Sequence, residues 1–85
     1  MIQIMDMKIF LGHFVDLFDE TDASTITETT NFKELEEWSS MIIMGIIAMA
    51  DEEYSVRLKG DDIRKINTVK DLYNLIQNRH EDGKL

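Results

Sequence analysis

Residues 38–54 read WSSMIIMGIIAMADEEY, and the fold is decided there. A tryptophan and two serines open a strongly apolar run, and three acids and an aromatic close it. Ser39 is a good helix N-cap, because a serine hydroxyl accepts from the unpaired N–H groups of a first turn. Trp38 then lies just outside the helix and Ile43 at its fourth position, the spacing of a hydrophobic staple. Ser40 falls in the first turn, where free N–H groups and the helix dipole favour a negative group such as a phosphate. The predicted helix runs from about Ser40 to Tyr54 and is apolar on more than one face. Ile43, Ile46, Ile47, Ala50 and Tyr54 form one stripe, and Met41, Met44 and Ala48, with Gly45 between them, form a second. A surface helix needs only one such stripe. The second is therefore either more core or an exposed contact patch, and flexible Met side chains suit a surface that meets several partners.

The chain around this helix has room for a single small domain, residues 1–85. It contains no Cys, which removes disulfides, thiol catalysis and thiolate metal sites. Its 44% hydrophobic content predicts a folded chain. The longest apolar run, Met41 to Ala50, is too short to span a bilayer. The first ten residues, MIQIMDMKIF, carry no leader pattern, so a cytoplasmic protein without membrane insertion is expected. A formal net charge of −8 argues against nucleic-acid backbones and anionic membranes, and favours basic protein partners. The charge is uneven: residues 1–38 hold nine acids against two bases, whereas residues 61–85 hold five of each.

With no proline, the punctuation comes from Gly, Asn, Asp, Ser and Thr. Met7, Phe10, Leu11, Phe14, Leu17 and Phe18 recur at helical spacing and predict a first helix from about Met5 to Phe18. Residues 19–31, DETDASTITETTN, read as a loop with Ile26 as its anchor, since these polar side chains compete for local backbone groups. Phe32 to Glu37 reads as a helical turn with Phe32 and Leu35 inward. Glu34, Glu36 and Glu37 stay wet, as a solvated turn or as a patch that steers partners. Residues 55–60, SVRLKG, alternate but have no second strand to pair with, so an extended connection with Val56 and Leu58 tucked inward is expected. Gly60 turns the chain, Asp61 caps a short helix over Asp62 to Lys65, and Ile63 and Ile66 face the core. Thr68 to Asp71 approximates a capping box and starts a last helix to about Asn78, with a frayed tail over 79–85.

The remaining polar residues offer little chemistry. His13 is a partly buried structural histidine, and His80 has no partner at useful spacing. Asp51, Glu52 and Glu53, like Asp61 and Asp62, match no calcium loop, so no metal site is expected. No sequence context supports a catalytic triad, and a core this small leaves no room for a catalytic cleft. The chain does not read as an enzyme.

Taken together, these stretches resemble the acyl carrier proteins. Ser39-Ser40-Met41 stands where that family has Asp-Ser-Leu. Phe32 and Leu35 resemble its apolar residues before the serine. Asp51-Glu52-Glu53-Tyr54 resembles the acidic-aromatic end of its second helix, and Ile66-Asn67-Thr68-Val69 with Asp71-Leu72 resembles the start of its last. The resemblance covers roughly residues 5 to 79. It implies an all-α, acyl-carrier-type bundle of three main helices with a short one before the last. It also implies a 4'-phosphopantetheine arm on one of the two serines. Counting back from Tyr54 and forward from Trp38 selects Ser40, and counting from Leu35 alone allows Ser39. The implied partners of this monomer are a phosphopantetheinyl transferase and the enzymes that load, transfer or condense acyl groups, in fatty-acid or other lipid metabolism. Met41, Met44, Gly45, Ala48, Asp51 and Glu52 would meet them. Met44, Ile47, Phe32 and Ile66 are the candidates for lining an apolar cleft. Two departures stand out: Ser39 replaces the family's acid, and Ile42 and Gly45 replace residues that are commonly polar or acidic. An aminoacyl carrier and an unmodified interaction module are the alternatives.

Overall fold

The first helix begins where the sequence supplies a cap. The Asp6 carboxylate accepts from the N–H groups of Lys8 (2.8 Å) and Ile9 (3.3 Å), satisfying two donors that a helix start leaves unpaired. The computed structural model describes residues 6–82. Met5, the expected first residue of the helix, and the last three residues of the tail lie outside the described residues. Helix α1 spans Met7–Val15. It stops three residues before Phe18 because the N–H groups of Leu17 and Phe18 turn to the carbonyls three residues back, at 3.1 Å each. Phe18 stays buried all the same.

Two short 3₁₀ turns follow, Ala23–Thr25 and Phe32–Glu34. Helix α2 spans Ser40–Tyr54, α3 spans Gly60–Arg64, and α4 spans Val69–Asp82. The result is the small all-α bundle that the periodicity predicts, with α2 packed on each of the other three helices and α1 also on α4. The pairing of Asn31 with Thr68 is an isolated bridge, and residues 55–59 connect α2 to α3 without helix or strand, with Val56 and Leu58 buried as expected.

The core is largely aromatic on its α1 side. Phe10 lies against Tyr73 and Tyr54, with ring centroids 5.6 and 5.9 Å apart. Phe14 lies against Phe18 (5.4 Å) and Phe32 (5.5 Å), and Phe32 lies against Trp38 (5.0 Å). From α2 come Ile42, Ile46, Met49 and Ala50, while Ile43, Ile47 and Tyr54 are half-buried beside them. The core stripe is therefore rotated by about one residue from the expected one, because the sequence is apolar on both flanks.

Helix α4 is the best-anchored start. The Thr68 hydroxyl accepts from the Asp71 N–H, and the Asp71 carboxylate accepts from the N–H groups of Thr68 and Asn67, all at 3.1 Å. The N–H groups of Val69 and Lys70 are taken by the loop carbonyls of Thr30 (3.2 Å) and Glu28 (2.8 Å). The long polar loop thus caps a helix with its main chain. Helix α4 also runs four residues past its expected end, so residues 79–82 are helical rather than frayed. Arg79 there pairs with Asp62 at 2.7 Å. Helix α3 starts at Gly60, with Asp62 accepting from the Lys59 N–H at 2.8 Å, so Asp61 is inside the helix and is not its cap.

Glu37 differs from the wet residue the sequence suggests. One carboxylate oxygen accepts from the Asp19 N–H (2.7 Å). The other accepts from the N–H groups of Glu20 (3.1 Å) and Thr21 (3.0 Å) and from the Thr21 hydroxyl (2.7 Å). The Thr21 hydroxyl bond, helped by the three N–H groups, holds the Glu37 carboxyl below its ordinary value of 4.5. Asp62 is held below the ordinary 3.8 chiefly by Arg79, and Asp71 chiefly by the Thr68 N–H.

Two predictions follow from these caps. A carboxyl with a lowered folded pKa binds protons more readily when unfolded. Its contribution is therefore present above the unfolded value and is lost as pH falls through the folded one. Thermal melts at fixed ionic strength should give a plateau above the ordinary 3.8–4.5 range and a falling Tm below it, with a shallower fall in Glu37→Gln and Asp71→Asn. A Tm flat through that range would contradict this. The second concerns Ser55, which ends α2 in the left-handed region at φ 56°. Its N–H bonds Asp51 O at 3.1 Å while the Val56 N–H bonds Ala50 O at 3.1 Å. Ser55→Gly should stabilise by roughly 0.5 kcal/mol, the relief of a side chain at positive φ less the extra chain entropy of glycine. Denaturant melts read this as a higher midpoint at unchanged slope.

Candidate functional site

Helix α2 starts differently from α1 and α4. Ser39 occupies the N-cap position in extended backbone, and its carbonyl accepts from the Ile43 N–H at 3.1 Å. Its hydroxyl makes no capping bond, which corrects the expectation that Ser39 caps through its side chain. Ser40 is the first helical residue, and both serines are exposed. Among the described residues, the N–H groups of Ser40, Met41 and Ile42 have no protein acceptor. Exposed first-turn donors of this kind accommodate a phosphate beside the helix dipole.

The segment ahead of the serines is held by packing. Trp38 is half-buried on Phe32, and its N–H bonds Leu35 O at 3.0 Å. Trp38 and Ile43, the two residues of the expected staple, line one cleft. This cleft holds about 390 Å³ between the start of α2 and α3, with Ile63 and Gly60 opposite and Lys33 and Arg64 as its basic residues. Lys33 Nζ donates to Arg64 O at 3.0 Å, and Arg64 pairs with Asp61 at 2.8 Å on the exposed surface.

The cleft is not the one expected, since none of Met44, Ile47, Phe32 and Ile66 lines it. Phe32 is fully buried between Phe14 and Trp38, Met44 points to solvent, and Ile47 and Ile66 are half-buried against the core. A larger hollow of about 480 Å³ is lined by Asp19, Glu20, Thr21, Glu36 and Glu37. It lies over the Glu37 clamp and is walled by four carboxylic residues, which suits loop anchorage and not an anionic or apolar ligand.

The second apolar stripe is exposed. Met41 is 79% and Met44 68% accessible, and Ala48, Asp51 and Glu52 are exposed with them. Gly45 is the exception among the expected contact residues. It faces Leu17, and a Cβ there would come within 3.2 Å of a Leu17 methyl, so it permits α2 to approach the end of α1. Ile42, expected at a position that is commonly polar if the resemblance holds, is buried. His13 is half-buried as expected, with Nε2 3.6 Å from Glu53 and its ring 6.0 Å from that of Tyr54. His80 lies half-buried on α4, and no group of metal-ligating side chains forms among the described residues.

No family model matches the chain, and neither a curated protein nor a solved structure matches it. No helix among the described residues is long and apolar enough to cross a membrane.

The accessibility of Met44 has a direct consequence for stability. Met44→Glu should change unfolding free energy by no more than about 0.5 kcal/mol, whereas Ile46→Glu, which buries an unpaired charge, should leave the chain unfolded. Parallel urea titrations of the two variants measure both.

Proposed function

We propose that the chain is a carrier of the acyl-carrier type, with 4'-phosphopantetheine attached to Ser40. The observation that carries this reading is the position of Ser40. Its hydroxyl is exposed on the first residue of α2, beside first-turn N–H groups that no protein atom uses, with Met41 and Met44 exposed on the same helix. In the proposed modification Ser40 Oγ forms a bond to the phosphorus of the coenzyme A diphosphate that bears the pantetheine arm. The bond from that phosphorus to the bridging oxygen breaks, adenosine 3',5'-bisphosphate leaves, and the serine proton passes to a base on the transferase. Bound there, the arm supplies a thiol on which acyl groups travel as thioesters. The chain itself supplies the rest. First-turn N–H groups favour the phosphodiester charge, Met41 and Met44 offer adaptable contact to partner enzymes, and the Trp38–Ile43–Ile63 cleft is apolar space close to the serine.

In this reading the protein is a cytoplasmic monomer. It has no catalysis of its own and serves acyl-loading, acyl-transfer or condensing enzymes of fatty-acid or related lipid metabolism, or aminoacyl-loading enzymes in their place. One observation favours a second reading, an unmodified interaction module: Ser39 stands where a carrier has the acid that engages the transferase.

Intact mass after co-expression with a broad-specificity phosphopantetheinyl transferase separates the readings. The expected result is a gain of one phosphopantetheine group, lost in Ser40→Ala and kept in Ser39→Ala. Loss in Ser39→Ala alone moves the attachment site by one residue. No gain with this transferase or with that of the native host favours the unmodified module.

A further inference from the structure

Helix α1 fixes its own start through Asp6, and α4 does so through Thr68 with Asp71, helped by the loop carbonyls of Glu28 and Thr30. Helix α2 does not, since the Ser39 side chain caps nothing. Its start has to be fixed from outside, and two contacts do so. One is Trp38 against Phe32. The other is Glu37, two residues before the N-cap, whose carboxylate takes three consecutive N–H groups and a hydroxyl from residues 19–21 at 2.7 to 3.1 Å. Successive N–H groups of this kind form a concavity suited to one anion. Here the anion belongs to the protein and ties the end of the α1 turn to the segment that carries the serines.

We infer that Glu37 is a positioning residue for the serine site: its carboxylate, latched in the 19–21 backbone, fixes segment 35–39 and so the start of α2. As a positioning role for Ser40 the inference rests on the carrier reading, whereas the latch itself does not. It also separates Glu37 from its neighbours. Glu34 and Glu36 are exposed and available to a basic partner, while both oxygens of Glu37 are already engaged. Both the charge and the bidentate shape matter. An amide in its place keeps one acceptor but presents N–H₂ to further N–H donors.

The test compares Glu37→Gln, Thr21→Val, their double variant and the control Glu36→Gln in the full chain. Three readouts are used: emission of Trp38, the only tryptophan, hydrogen exchange at the Ile43 and Ile76 amides, and the rate of transferase modification. Glu37→Gln should red-shift Trp38 and speed Ile43 exchange by about tenfold or more, while Ile76 in α4 moves far less, because the opening is local. Modification kcat/KM should fall by about tenfold or more, towards the roughly hundredfold that a ~1 Å misplacement of a reacting group can cost. Thr21→Val should move all three in the same direction by less, and the double variant should fall short of the sum, as two ends of one interaction require. Glu36→Gln should leave Trp38 emission and both exchange rates unchanged, and any loss of modification it causes, as an exposed acid open to a basic transferase, should come without them. Unchanged emission and Ile43 exchange in Glu37→Gln overturns the latch. A modification loss shared by Glu36→Gln and absent from Thr21→Val overturns the positioning role and marks a plain charge effect on the transferase. If the unaltered chain takes no phosphopantetheine, the carrier reading and the positioning role fall together, while emission and exchange still decide the latch.

Discussion

Phe32 is a meeting point of three separate parts of the chain. Its ring is fully buried between Phe14 of α1 and Trp38 ahead of α2, and its N–H donates to Asn67 O at 3.1 Å, just before α4. One residue therefore touches the first helix, the serine segment and the approach to the last helix. Truncating a buried phenylalanine to alanine typically costs about 3–5 kcal/mol. A single domain this small has a total stability of the same order, roughly 5–10 kcal/mol. The Phe14–Phe32–Trp38 stack is thus a condition of the serine site as well as of the fold.

The polar loop has to be explained alongside that core. Residues 19–31 bury one large side chain, Ile26, which is little to offset the entropy of ordering them. They are ordered by hydrogen bonds at both ends. The Glu37 carboxylate holds residues 19–21, and the carbonyls of Glu28 and Thr30 serve as caps for α4. The loop and the helix start satisfy each other's backbone groups, so the loop is ordered with little apolar burial of its own. The many threonines contribute through local turns, such as Thr30 Oγ1 accepting from the Thr27 N–H at 2.8 Å.

The helices were legible because their signals are local. Phe10 and Phe14, four apart, mark the α1 face, and Thr68 with Asp71 marks the α4 start, each readable within one turn. What was not legible depended on partners distant in sequence. Nothing distinguishes Glu37 from Glu34 or Glu36 in FKELEE until residues 19–21 fold against it. The extension of α4 to Asp82 goes with Arg79 meeting Asp62, 17 residues away. Phe32 reads both as an inward residue and as a cleft candidate, and its size with the proximity of Phe14 settles it in the core. The cleft's basic residues, Lys33 and Arg64, are 31 residues apart and carry no common motif. On α2, apolar residues on both flanks left the centre of the buried stripe ambiguous by one position.

The two apolar flanks of α2 are used differently. The buried stripe of Ile42, Ile46, Met49 and Ala50 satisfies the core. Met41 and Met44, one turn apart, contribute little burial, and polar residues there would fold as well. Single exposed apolar residues are ordinary on any surface and need no explanation. Two large ones within the first two turns of one helix, next to two exposed serines and a tryptophan-lined cleft, are a local concentration that folding does not require. The acids lie at a distance from them, in the loop before the serines and at the far end of α2 from Asp51 to Glu53. A partner that meets this face would therefore bury methionine at the centre and meet negative charge at the edges. That order, an apolar centre with a charged rim, separates binding energy from steering. It gives the exposed stripe a reason to be apolar that the stability of the bundle does not supply.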